Sequence, residues 1–199
     1  MGRPKEHDNS TRLALLTAAE QLIESQGPDA ASVRGVAEAG GTTTRAVYSV
    51  FGSKAGMLAA LATRLFEMLV EAIDGCEPTT DPARDVVTIS LDGFRRTALE
   101  HPALYGLVFL RIVPTLRLGA EFTDAAAHAF GRLEASLRRV QAAGRLGAMT
   151  PHNAAQAVHA LTEGLATMEL RGTFASTSDA EKVWHHAVTA LVNGFALSA

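Results

Sequence analysis

Residues 32–54 read SVRGVAEAGGTTTRAVYSVFGSK. Ser32 can cap a helix, its side-chain oxygen taking a free backbone N–H. Val33, Val36 and Ala37 then form an apolar stripe at helical spacing. Gly40 and Gly41 end that helix, because glycine accepts the backbone of a sharp exit. Thr42, Thr43 and Thr44 open a second helix that carries Arg45, Val47, Tyr48 and Phe51. Two short helices joined by a glycine turn describe a helix-turn-helix, and the second helix of that motif enters a DNA major groove. The stretch points to sequence-specific DNA binding.

The residue types fit that chemistry. Thr42, Thr43 and Thr44 place hydroxyls at a helix start, where the positive end of the helix dipole favours phosphate. Arg45 offers a two-pronged donor for a guanine edge. Ser32 can meet a phosphate through its N–H or hydroxyl, and Arg3 and Lys5 can reach DNA as an arm. Taken singly, each has a plainer reading: a threonine run is a cap, Arg45 is a solvated charge, and Tyr48 and Phe51 are core aromatics. The combination at these spacings is what favours an interface.

The same residues carry a resemblance. Val36-Ala37, Gly40-Gly41, Val47-Tyr48-Ser49-Val50-Phe51, Gly52-Ser53-Lys54 and Leu58 together resemble the N-terminal domain of the tetracycline-repressor (TetR) family of bacterial transcription regulators. The resemblance covers about residues 8 to 65. It implies that the Tyr48 hydroxyl meets phosphate and that Lys54 clamps the flanking backbone. It also implies an inducer pocket in the remainder of the chain, and a homodimer. Two positions depart from the pattern. Gly35 stands where the family often has an acidic residue, so a capping box with Ser32 is absent. Arg45 stands where a small residue is common, which makes it a candidate specificity element.

The 199 residues allow one large domain or two small ones, and a hydrophobic fraction of 47% supports a packed core. Charge interrupts the apolar runs before they reach the roughly 20 residues needed to span a bilayer. The opening MGRPKEHDNS has no apolar run after its basic residues, as a secretory signal requires. Cys76 is the only cysteine, so an internal disulfide is excluded and a reducing cytoplasm is expected. The net charge of −3 is unusual for a DNA binder. It is unevenly spread, however: residues 1–64 sum to +1 and the remainder to −4.

All periodic segments read as helix, so the expected class is all-α, with about nine helices. The expected spans are 10–25, the two motif helices, 53–73, 82–100, 103–113, 123–143, 151–172 and one from Ser178 close to the C-terminus. Leu13, Leu16, Ala19 and Ile23 are expected inward on the first, and Ser178 with Glu181 is expected to box the last. The expected organisation is a DNA-binding domain over 1–52 and a helical ligand-binding and dimerisation domain over 53–199, connected by the fourth helix.

In the second domain, aromatic and aliphatic residues exceed what a small bundle needs. Phe94, Tyr105, Phe109, Ile112, Phe130, Thr162, Glu163 and Met168 are the candidate lining of an inducer cavity, with His128 and Glu169 as further polar groups. Most of them also read as ordinary core. The eighth helix has small residues at Ala154, Ala155, Ala157, Ala160, Gly164 and Ala166, and the ninth has an apolar stripe through Val183, Trp184, Ala187, Val188, Leu191, Val192 and Phe195, which also reads as the face that buries the helix on its own body. Helices 8 and 9 are therefore the expected homodimer face. His159 and Glu163 are four apart, but no further ligands follow at metal-site spacing, so no metal or other cofactor is expected. No nucleophile elbow or phosphate loop is present, which argues against an enzyme. The expected function is a ligand-responsive regulator, most simply a repressor released from a pseudo-palindromic DNA operator by a small apolar or amphipathic molecule. The alternative is a helical small-molecule binder whose head no longer binds DNA.

Overall fold

The computed structural model describes residues 5–197, with side chains from Ser10 onward. Arg3 and the Lys5 side chain lie outside the described residues. Among those described, the chain is all helical: α1 (Lys5–Gln26), α2 (Val33–Ala39), α3 (Thr44–Phe51), α4 (Lys54–Asp74), α5 (Pro82–Thr88), a π-helical segment (Ile89–Arg95), α6 (Arg96–Glu100), α7 (Pro102–Val108), α8 (Ala120–Ala142), α9 (Pro151–Leu170), α10 (Thr177–Gly194) and a final 3-10 turn (Phe195–Leu197). These form two compact units. One comprises residues 1–64 with 102–123, the other 65–101 with 124–199. Helix α4 runs through both.

In the first unit, α1 packs on α2 and α7, and α2 on α3. Leu15, Leu16, Ala19 and Ile23 of α1 are buried, as are Val36 and Ala37 of α2, Val47 of α3 and Met57, Leu58 and Leu61 of α4. Burying each large apolar side chain contributes about 1.5–3 kcal/mol. Leu13, expected inward, is instead 41% exposed. The inward face of α1 runs through 15, 16, 19 and 23, and position 13 falls off that face.

The sixth expected helix stops early. Rather than reaching Val113, α7 ends at Val108. Arg111 takes the left-handed φ of 49°, and the Ile112 N–H turns back to donate to the Gly106 carbonyl at 3.1 Å. Gly106 makes room for this return, because a Cβ there would lie 3.2 Å from Ile112 Cδ1.

In the second unit, α10 packs on α9 and α5, and α6 on α9. The fifth expected helix is one continuous run, α5 to α6, but its middle is a π-helix. Asp81 caps its start, accepting from the Ala83 and Arg84 N–H groups. The preceding linker is tied down by Asp85, which accepts from the Thr79 N–H (3.0 Å) and hydroxyl (2.6 Å) and from Arg139 on α8 (2.7 Å). Burial would raise the Asp85 carboxyl; the bonds from Thr79 and Arg139 together outweigh it and hold the group below the usual carboxylate range.

Helix α10 starts ahead of the expected box. Ser176, not Ser178, is the cap: its hydroxyl accepts from the Asp179 N–H at 3.1 Å and donates to the Asp179 carboxylate at 2.8 Å. Asp179 stands where Glu181 is expected relative to the cap, but its carboxylate takes the Ser176 hydroxyl rather than the cap's backbone N–H. Among the described residues, no helix is long and apolar enough to cross a membrane.

Candidate functional site

The head is built as the motif requires. The Ser32 hydroxyl accepts from the Gly35 N–H at 3.0 Å and starts α2. Any Cβ on Gly35 would lie 2.9 Å from the Ala30 carbonyl oxygen and 3.2 Å from Ser32 Oγ. The backbone before α2 folds so close that an acidic side chain at 35 has no room, which explains the missing capping box. Gly41 takes the left-handed φ of 61°, turning the chain from α2 toward α3.

Thr43 caps α3, its hydroxyl accepting from the Ala46 N–H at 3.2 Å. Val47 is fully buried and fastens the helix to the unit. Thr43, Thr44, Arg45 and Tyr48 are exposed, and Thr42 is half-buried. One side of α3 is therefore anchored while its polar side faces outward. Helix α4 begins directly afterwards. Ser53 caps it through the Gly56 N–H at 2.9 Å, and Lys54 is its first residue. The junction is tight, since a Cβ on Gly56 would lie 2.2 Å from the Phe51 carbonyl oxygen. Ser32, Thr42, Thr43, Thr44, Arg45, Tyr48 and Lys54 all fall on or beside α2, α3 and the α4 start. Between Glu38 and Glu67 the chain has no acidic residue, so every charge that α3 and the start of α4 carry is basic although the net charge is −3.

The candidate lining residues fall into two groups. Tyr105, Phe109 and Ile112 belong to the first unit. Tyr105 is buried, and its ring centroid lies 4.8 Å from that of Phe109. Ile112 is 37% exposed. Phe94, Phe130, Thr162, Glu163 and Met168 belong to the second. There, the rings of Phe94 and Phe130 meet His159 edge-on at 6.1 and 6.3 Å, and Glu163 lies 3.7 Å from His159 Nε2. Burial pushes the His159 pKa down, against the opposing pull of Glu163. Thr162 is buried and donates to the His159 carbonyl at 3.0 Å, whereas Met168 is 47% exposed.

His159 itself is not among the lining residues expected from sequence, although its i, i+4 spacing to Glu163 is visible there. Sequence reasoning also misses the network of Arg95, Glu169 and Trp184, since only Glu169 stands out as a polar group in an apolar run. An open groove of about 240 Å³, lined by Ile73, Cys76, Ile89, Arg132 and Arg139, lies on the second unit. Burial raises the Cys76 thiol pKa, which keeps it protonated and a poor nucleophile. Among the described residues, no group of three or more His, Cys, Asp or Glu is placed to hold a metal ion.

The family described as "Bacterial regulatory proteins, tetR family" matches residues 15–61. The family described as "Tetracyclin repressor-like, C-terminal domain" matches residues 89–191. No protein of curated function matches the sequence. Among solved structures, a protein of unknown function from a Rhodococcus species is 24% identical with a TM-score of 0.76, over 94% of this chain and 95% of that one. The TetR-family transcriptional regulator PfmR from Thermus thermophilus is 22% identical with a TM-score of 0.67, over 89% and 96%. NalD, the secondary repressor of the MexAB-OprM multidrug efflux pump in Pseudomonas aeruginosa, is 26% identical with a TM-score of 0.62, over 95% and 97%. With a helix-turn-helix head matched at one end and a repressor-like body matched over more than half its length, the chain belongs to the TetR family of ligand-responsive, DNA-binding transcription regulators.

Proposed function

We propose that the chain is a repressor that leaves a pseudo-palindromic operator when a small apolar or amphipathic molecule binds its helical body. The observation that carries the DNA half is the division of α3: Val47 is fully buried while Arg45 and Tyr48 project from an acid-free segment. Arg45 reads a base edge, Tyr48 and Lys54 hold phosphates, and Ser32 and the threonines fix the register. The likeness to NalD, itself a repressor, supports repression over activation.

The effector half rests on the candidate lining residues, with the Phe94, Phe130 and His159 cluster as its aromatic part. His159, with Glu163 3.7 Å from its Nε2, adds a polar group beside the two ring edges. Members of this family act as dimers, and the partner helices here are α9 and α10. Their exposed or half-exposed sides carry Ala157, Ala160, Leu161 and Gly164 on one, and Val183, Ala187, Ala190 and Leu191 on the other. The cell compartment is the cytoplasm. The regulator acts by binding, without catalysis.

The test is selection of duplexes from a random DNA library with the full chain. A half-site repeated with two-fold symmetry is the expected product. Recovery of no sequence above background would remove the operator reading and leave a small-molecule binder.

A further inference from the structure

Arg12 is a basic side chain of the head that meets an aromatic ring. It stands on α1, and its guanidinium carbon lies 5.4 Å from the centroid of the Phe51 ring. Among the described residues this guanidinium makes no hydrogen bond or ion pair. The residue is half-buried, and no carboxylate in that set compensates its charge.

A guanidinium over a ring face is held in place by the ring's quadrupole, and its in-plane N–H groups stay available to another acceptor. Phe51 is the last residue of α3 and lies one helical turn beyond Tyr48, on the same side. Lys54 opens α4 three residues later. Arg12 against Phe51 and Lys54 at the α4 start thus both stand at the C-terminal end of α3, in a stretch whose only charged residues from 39 to 66 are basic.

We propose that Arg12, stacked on Phe51, is a phosphate clamp of the DNA interface that grips the backbone beside the C-terminal end of the recognition helix. The clamp rests on the DNA-binding reading of the head. It adds α1 to the interface and gives Phe51 a positioning role: the ring does not touch DNA but sets where the guanidinium sits.

The experiment uses the full-length protein and one duplex obtained by selection from a random library. Affinity is measured across a KCl series for the wild type, Arg12→Met, Arg12→Gln and Phe51→Leu, alongside thermal unfolding of each. Arg12→Met keeps the apolar stem on the ring, and Arg12→Gln keeps a flat polar group there; both remove the charge. Both are expected to melt near the wild type, to bind about tenfold more weakly, and to lower the slope of log K against log salt by about one unit for each head on the duplex. Phe51→Leu keeps the charge but loses the ring, and is expected to weaken binding with little change in slope.

Neutral Arg12 variants with the wild-type slope and affinity would overturn the clamp while leaving the DNA reading intact. Affinity that falls only in proportion to lost folded protein would make Arg12 a packing residue and overturn it as well. A wild type that selects no duplex would defeat the underlying reading.

Discussion

Trp184 donates its indole N–H to Glu169 Oε2 at 2.8 Å, and the same carboxylate receives Arg95 through two bonds of 2.9 and 2.7 Å. Trp184 is fully buried, and the Arg95 and Glu169 side chains are 13% and 9% exposed. One carboxylate therefore joins α10, α9 and the end of the π-helical segment. The Glu169 bond and its charge raise the Arg95 pKa, so the guanidinium stays charged throughout. Trp184, Val188, Val192 and Phe195 read from sequence as part of a dimer stripe, as do Ala154, Ala155 and Ala166 on the facing helix; all are instead buried as core of their own unit.

Removing one partner strands the other. Glu169→Ala leaves a buried guanidinium without its counter-charge and is expected to destabilise by about 3–5 kcal/mol. Trp184→Phe removes one bond from a carboxylate still held by Arg95, at about 1–3 kcal/mol. Urea unfolding followed by circular dichroism reads both. A Glu169→Ala protein about as stable as the wild type would show that water reaches the pair.

Recognition is expected to divide by residue. Arg45→Ala should cost about 1–3 kcal/mol at the selected duplex and relax preference at one base position in each half-site. Tyr48→Phe and Lys54→Ala should weaken binding on all sequences alike. Equal losses for Arg45→Ala on selected and random DNA would make Arg45 a phosphate contact instead.

The head is legible in sequence because its signals are local. Ser32, Gly41 and Thr43 act within three or four residues of themselves, and spacing alone places them. Gly35 looks like a defect because the closeness of the Ala30 carbonyl is not written in a periodic pattern. The body is less legible because its decisive partners are distant in sequence. Arg95 and Glu169 are 74 residues apart, and Arg139 and Asp85 are 54 apart. The early end of α7 has a different, local origin. Pro114 marks a stop, but the left-handed Arg111 and the return of Ile112 onto Gly106 form a turn that no apolar period announces.

Stability should fall in two steps on acidification. The folded His159 pKa lies below the ordinary imidazole value, so the unfolded chain takes up the proton first. This contribution is present above about pH 6.5 and is lost as pH falls from there toward the folded value. Asp85 has a depressed carboxyl, so its contribution is present above about pH 3.9 and is lost as pH falls through the folded value. His159→Gln should flatten the decline below about pH 6.5, and Asp85→Asn the decline near about pH 4 and below. Melting temperature against pH checks both, and parallel curves for wild type and His159→Gln would refute the first.

The dimer face is tested where the single chain leaves space. A Cβ on Gly164 meets nothing within 4 Å, so the lone subunit tolerates a larger residue there. Gly164→Trp and Leu191→Glu are expected to fold, to sediment as monomers, and to bind the duplex poorly, since both half-sites must be held together. Stable dimers from both variants would move the interface away from α9 and α10.

Effector action must follow from differential binding. A molecule with equal affinity for the DNA-bound and released arrangements shifts nothing, however tightly it binds. Helix α4 leads directly from the recognition helix and belongs to both compact units, which makes it the expected lever. Screening should begin with aromatic and amphipathic compounds, to match Phe94, Phe130 and His159. A true effector raises the melting temperature and weakens operator binding, and operator DNA weakens effector binding by the same factor. Phe94→Ala or Phe130→Ala should lower effector affinity and leave ligand-free DNA binding unchanged. Gly106→Ala pushes against Ile112 in the other unit, so an altered response there would implicate Tyr105, Phe109 and Ile112 instead. A compound that binds tightly in the body while operator affinity stays constant across all these variants would count against induction through this body.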